Sequence, residues 1–143
     1  MRILLVHGPN LNRLGRRNPE IYGTITLDEI ERAVAERARV VGIQVRCFQS
    51  NYEGALIDWL QAEADLADAI IINPGGLAHY SVALRDALED TKKPVAEIHI
   101  SDPSAREPFR HPLITATAAS FVMVGKGLNG YLDALDTLRA RIC

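Results

Sequence analysis

Two groups of side chains in this sequence are suited to moving protons. The stretch GRRNPEIYG, residues 15–23, sets Arg16, Arg17 and Tyr22 between two glycines with no apolar periodicity. A phenol ordinarily ionises near pH 10, and a cation within a few ångströms favours its anion. Bringing that ionisation to neutrality takes about 4 kcal/mol, at about 1.36 kcal/mol per pH unit. One arginine in water does not supply it, but one or two arginines in a closed, partly dried site do. Arg17, together with Arg106 or Arg110 of AREPFRH, are the available cations. The tyrosinate so formed is a strong general base, and residues from about 13 to 23 then read as a mobile lid. The plainer reading is a solvated loop with one packed tyrosine. The second group is EIHIS, residues 97–101. On a strand, Glu97 and His99 face the same side of the sheet. A carboxylate beside an imidazole fixes its tautomer and supports its protonated form. The plainer reading is a satisfied buried hydrogen bond.

Other chemistries find no support. GKGLNG, residues 125–130, matches the G-x-G-x-x-G pattern, yet a dinucleotide site belongs at the first strand-to-helix turn with an acidic residue about 20 positions on; here the sequence ends at 143. There is no P-loop and no G-x-S-x-G elbow. Of three lysines, Lys92 and Lys93 precede Pro94 at a helix end and Lys126 sits in a glycine-rich turn. None has the apolar strand setting that favours Schiff-base chemistry. No His, Cys, Asp or Glu triplet has metal spacing. Cys47 reads as part of a strand and Cys143 is the last residue, so a disulfide is not expected and a reducing compartment fits. The chemistry expected is acid–base work by Tyr, His, Asn and Arg without metal or cofactor. A net charge of −2 implies no general attraction to nucleic acid or membrane. MRILLVHGPN lacks an h-region, which points to a cytoplasmic protein.

These residues need a scaffold, and the patterning supplies one. A 143-residue sequence that is 48% hydrophobic fits one domain, residues 1–143. Short apolar runs at 2–6, 69–73, 94–100 and 120–124 read as strands, as does the alternating IQVRCFQ at 43–49. Helical spacing recurs at 26–42, 53–65, 81–90 and 128–142. Thr26 and Glu29 form a capping box, and Gly42 is a stop signal. Strict strand–helix alternation predicts an α/β fold, a five-stranded parallel sheet with helices on both faces. A wet second strand suits the flavodoxin-like order 2-1-3-4-5. Ligands of such sheets bind beyond the carboxyl ends of the strands. That places His7, Asn10, Asn12, Ser50, Asn51, Asn73, His79, Glu97, His99 and Ser101 near one another. The asparagines are equally suited to forming turns, and a bare loop histidine such as His79 is equally suited to a structural role.

Over essentially its whole length the sequence resembles type II 3-dehydroquinate dehydratase. The matching stretches, in order, are GPNLNRLGRRNPEIYG, FQSNYEGALID, IINPGG followed by HYSVALRDAL, PVAEIHIS followed by AREPFRH, and GYLDAL. The resemblance implies dehydration of 3-dehydroquinate to 3-dehydroshikimate by anti elimination through an enolate. It implies Tyr22 as base, Arg17 as its activator, His99 as acid oriented by Glu97, and Asn10 holding the water or oxyanion that stabilises the enolate. Asn73, His79, Ile100, Ser101 and Arg110 would hold the substrate, and Asp86 would reach a neighbouring subunit's site. A homo-oligomer is implied, a dodecamer built as four trimers. Four positions depart from the family's usual pattern: Asn18, Leu77, Ala78 and Asp102. Asp102 adds a carboxylate expected to oppose an anionic substrate, and Asn18 is expected to alter lid closure. Two other readings stay open, a relative acting on another hydroxylated ring acid, for which Leu77, Ala78 and Asp102 would be the markers, and a non-catalytic flavodoxin-like binding module.

Overall fold

The computed structural model describes residues 1–143. Five parallel strands form one sheet: β1 (Arg2–His7), β2 (Gln44–Gln49), β3 (Ala69–Asn73), β4 (Val95–His99) and β5 (Phe121–Val124). Their spatial order is β2-β1-β3-β4-β5, the expected 2-1-3-4-5 arrangement. Register pairs Val6 with Ile72 and His7 with Asn73, so the ends of β1 and β3 lie level. The chain order turns around between these strands, which opens a crevice above them.

The apolar runs of β1 and β3 follow from burial on both faces, and β4, equally buried, carries Glu97 and His99 between its apolar residues. Ile3, Leu5, Ile71 and Ile98 pack with Ile30 and Val34 of α2 (Leu27–Val40) and Leu135 of α5 (Leu128–Ile142). Leu4, Val6, Ile70 and Ile72 pack on the opposite face with Leu56 and Leu60 of α3 (Glu53–Glu63) and Leu84 and Leu88 of α4 (Val82–Asp90). Each such buried side chain contributes about 1.5–3 kcal/mol. The edge strand β2 is half-buried or exposed along its length, as its alternation predicts. The Thr26–Glu29 capping box forms with both bonds in place, and Gly42 follows α2 in a left-handed conformation at φ 75°. Both cysteines are free thiols, and no helix is long and apolar enough to cross a membrane.

The region read as an irregular loop contains an element. Residues Pro19–Tyr22 form a one-turn helix, α1. Asn18 caps it by accepting from the Glu20 N–H at 3.2 Å, and Pro19 occupies its first turn, where a missing N–H costs nothing. A single turn has no room for periodicity. The same holds for the 3₁₀ turns at Gly75–His79, Pro103–Ala105 and Pro108–Arg110 that carry other crevice residues, and for the turn at Thr115–Ala118.

At the crevice floor, backbone meets backbone. A Cβ on Gly8 would lie 2.3 Å from the Pro74 carbonyl oxygen, and one on Gly75 would lie 2.9 Å from that of Pro9. Gly75 also has φ 60°. Only glycine lets the two strand-end turns close on each other.

Candidate active site

The crevice above β1, β3 and β4 holds a cavity of about 260 Å³. Asn10, Arg17, Tyr22, Asn73, His79, His99, Ile100, Ser101 and Arg110 all line it, joined by Arg106. Glu97 lies behind His99 and is fully buried. Asp86 is outside it, exposed on α4 and paired with Arg85 at 3.0 Å.

α1 places the phenol oxygen of Tyr22 between two guanidiniums. Arg17 donates from Nη2 at 3.1 Å and Arg106 from Nη1 at 2.8 Å. Both cations also lie over the ring, 4.3 and 5.3 Å from its centroid. Two charged donors therefore converge on one oxygen. Of the two arginines offered by AREPFRH, Arg106 is the one at the phenol. Arg110 instead pairs with Glu107 at 3.2 Å while still bordering the cavity.

β4 delivers His99 to the same cavity. Its Nε2 lies 2.8 Å from Glu97 Oε2, the alternation of the strand having put both on one side. A carboxylate only accepts, so Nε2–H is the donor and Nδ1 is the nitrogen left without a partner in the chain. His79 sits beside it, with ring centroids 6.4 Å apart. His79 Nδ1 lies 2.9 Å from the Pro112 carbonyl, which can only accept, so its Nε2 is an acceptor.

The remaining groups form a cradle. Asn73 is buried, with Oδ1 accepting from the Gly75 N–H at 3.1 Å and Nδ2 donating to Tyr131 Oη at 2.9 Å. Those two bonds fix which way the amide points and leave one N–H of Nδ2 uncommitted. Tyr131 was not singled out from the sequence, because it lies 58 positions away. Burial pushes its phenol up, to a state that is neutral at any working pH. Asn10 holds φ 70°, and Asn51 secures it by accepting the Asn10 N–H at 3.0 Å. The N–H groups of Ile100 and Ser101 donate to no atom of the chain, while the turn after β5 ties down the carbonyls of His99, Ile100 and Ser101 through Gly125 and Gly127. Free N–H groups beside a serine hydroxyl suit an oxyanion or carboxylate.

Several residues with expected roles sit elsewhere. His7 does not line the cavity; it is fully buried, 6.2 Å from the Tyr131 ring. Leu77 and Ala78 are buried in the core and do not border the cavity, so they read as packing residues rather than as specificity markers. Asp102 accepts from Ser104 Oγ at 2.7 Å and Ser104 N at 3.0 Å, and these bonds hold its carboxyl below the usual carboxylate range. It caps the Pro103–Ala105 turn rather than bordering the cavity. Of the glycines of GKGLNG, Gly125 and Gly127 form the turn into α5, both at positive φ, and Gly130 lies buried within that helix.

The family model described as "Dehydroquinase class II" matches residues 1–139. The 3-dehydroquinate dehydratase of Roseiflexus castenholzii is 56% identical over 138 residues, covering 96% of this chain and 88% of that protein. That of Anoxybacillus flavithermus is 51% identical, covering 96% and 93%. The crystal structure of the type II dehydroquinase from Butyrivibrio crossotus superposes with a TM-score of 0.95 at 42% identity, covering 97% of each chain. Sequence and fold thus agree over nearly the whole length, and the chain belongs to the class II dehydroquinase family.

Proposed function

We propose that this enzyme dehydrates 3-dehydroquinate to 3-dehydroshikimate by anti elimination through an enolate, with Tyr22 as base and His99 as acid. Family membership and full-length likeness to 3-dehydroquinate dehydratases support the substrate and the overall reaction. The observation that carries the assignment of the base is the Tyr22 oxygen held by Arg17 and Arg106. The tyrosinate takes the C2 proton, and the C2–H electrons move onto the C3 carbonyl oxygen. Asn10 would hold the water, or the oxyanion itself, that stabilises the enolate. Electrons then return to form the C1–C2 double bond as the C1 hydroxyl leaves with a proton from His99 Nδ1. Tyr22 and His99 end one proton up and one proton down, and solvent exchange resets both. A base and an acid on opposite sides of the ring suit an anti elimination, and donors aimed at the developing charge lower its barrier. The Ile100 and Ser101 N–H groups, with Arg110, would hold the substrate carboxylate, and Asn73 and His79 its ring hydroxyls.

Residues 13–23 form the proposed lid: opening it would withdraw Arg17 and Tyr22 together and leave Arg106 and His99 in place. Turnover of 3-dehydroquinate, followed by the ultraviolet absorbance of the conjugated product, tests the reading. Wild type should turn over and resist borohydride, since no Schiff base forms. Arg17→Ala should lose about 10- to 150-fold in kcat, the worth of one charge-assisted hydrogen bond. Borohydride inactivation in the presence of substrate, or an Arg17→Ala variant at full rate, would reject it.

Asp86 contributes nothing to the cavity of its own chain, which fits a role at a neighbour's site in a homo-oligomer. Separately purified Asp86→Ala and Arg17→Ala proteins, each impaired, should regain activity when unfolded together and refolded. No recovery on mixing, in a preparation that light scattering shows to be oligomeric, would confine Asp86 to its own subunit.

A further inference from the structure

Glu97 is fully buried, and its only ion-pair partner is His99. Its second oxygen, Oε1, accepts a hydrogen bond from the hydroxyl of Thr115. Thr115 is itself fully buried and opens the 3₁₀ turn at Thr115–Ala118. That turn is anchored by the Ile114 N–H, which donates to the Ala78 carbonyl at 2.7 Å, directly beneath the segment that carries His79. A threonine in a turn commonly bonds back to its own backbone. Thr117, two residues on, does so, donating to the Ile114 carbonyl at 2.7 Å. Thr115 forgoes that bond and donates across 18 positions to Glu97.

We propose that Thr115 is a positioning residue for the acid step. A hydroxyl that donates to Oε1 fixes the rotamer of the Glu97 side chain. Oε2 then faces His99 as a bare acceptor, which pins one imidazole proton on Nε2. Nδ1 is left as the nitrogen that carries and delivers the proton to the departing hydroxyl. Without the Thr115 donor, Glu97 has freedom to rotate away from His99. The ring can then adopt the Nδ1–H neutral tautomer with Nε2 as acceptor, which places the bound proton correctly but removes the carboxylate that stabilises the imidazolium. The local bonds of the two threonines make the contrast: one stabilises a turn, the other reaches a carboxylate whose partner borders the cavity.

The inference rests on the reading of His99 as the acid, and the test separates the two. The full-length protein, labelled with ¹⁵N-histidine, is compared as wild type, Thr115→Val, Thr115→Ser and His99→Asn, the last assigning the His99 signals. Wild type should show His99 as the Nε2–H tautomer when neutral. Thr115→Val, similar in shape but without the hydroxyl, should show a mixture of tautomers and a kcat about tenfold lower or less still, the effect of one hydrogen bond to a charged group. KM should stay close to wild type, and Thr115→Ser should restore both tautomer and rate. A merely structural threonine would lower thermal stability in Thr115→Val and leave the tautomer unmoved. An unchanged tautomer and kcat in Thr115→Val overturns the proposal. So does a neutral Nδ1–H tautomer in wild type, a result independent of whether the valine variant folds. If His99→Asn keeps full kcat, the acid assignment fails and the role of Thr115 falls with it; if His99→Asn is impaired while Thr115→Val is silent, only the role of Thr115 fails.

Discussion

Replacing Tyr22 by Phe is expected to lower kcat by about 10²- to 10⁴-fold, the usual worth of a positioned general base, with little change in KM. The ring would still fill its half-buried place on α1, and the cations over its face at 4.3 and 5.3 Å would remain. What disappears is the oxygen that both guanidiniums address. In the variant, Arg17 and Arg106 keep their charge near an anionic substrate, so binding survives while proton removal does not. Steady-state product absorbance measures both constants. A Phe variant with wild-type kcat would remove Tyr22 from the role of base. Single substitutions of Arg17 or Arg106 should be milder than Tyr22→Phe, because the other guanidinium still holds the oxygen.

His99→Asn should separate the two halves of the reaction. Asparagine retains a hydrogen-bonding group near the position of Nδ1 but has no proton to give. Dehydration is expected to fall by about 10²- to 10⁴-fold. The base is untouched. In D₂O the variant should therefore form the enolate, return to substrate, and leave deuterium at C2 of the recovered 3-dehydroquinate. Tyr22→Phe should show neither dehydration nor exchange. Mass spectrometry of recovered substrate decides it. An absence of exchange in His99→Asn would mean that the steps are concerted, or that His99 is needed for both. The substitution leaves the buried Glu97 carboxylate with Thr115 as its one partner, at a cost of about 1–3 kcal/mol, so the assay belongs well below the melting temperature.

The longer elements were legible because each has a period, whereas the single turn α1 that carries Tyr22 has none. Burial on both faces makes the centres of β1 and β3 apolar, and the capping box of Thr26 and Glu29 and the left-handed Gly42 bound the first long helix. The pairing of Glu97 with His99 was legible too, since two residues on one strand face share a side. Contacts across the fold were not. Thr115 reaches Glu97 over 18 positions and Asn73 reaches Tyr131 over 58, and neither threonine nor tyrosine carries a local mark of such a partner. The choice between Arg106 and Arg110 depended on a 3₁₀ turn too short to have a pattern. Leu77, Ala78 and Asp102 stood out only as departures from the family's usual pattern and would have marked a shifted substrate, yet the chain turns the first two into the core and commits the third to capping its own turn. Asn18 is the departure with a mechanical role, since it caps the single turn on which Tyr22 rides.

The glycine contacts under the crevice bear on how this catalyst can be re-engineered. With Gly8 against Pro74 and Gly75 against Pro9, the floor is made of main chain pressed on main chain, and any side chain there would have to push two strands apart. A library randomised at those positions would be spent on unfolded protein. The walls are different. Ser101, Arg110 and α1 stand on short turns whose side chains face the cavity or solvent. Substrate range in this scaffold is therefore open to redesign from the rim inward, with the depth of the pocket fixed by two residues that have no side chain to exchange.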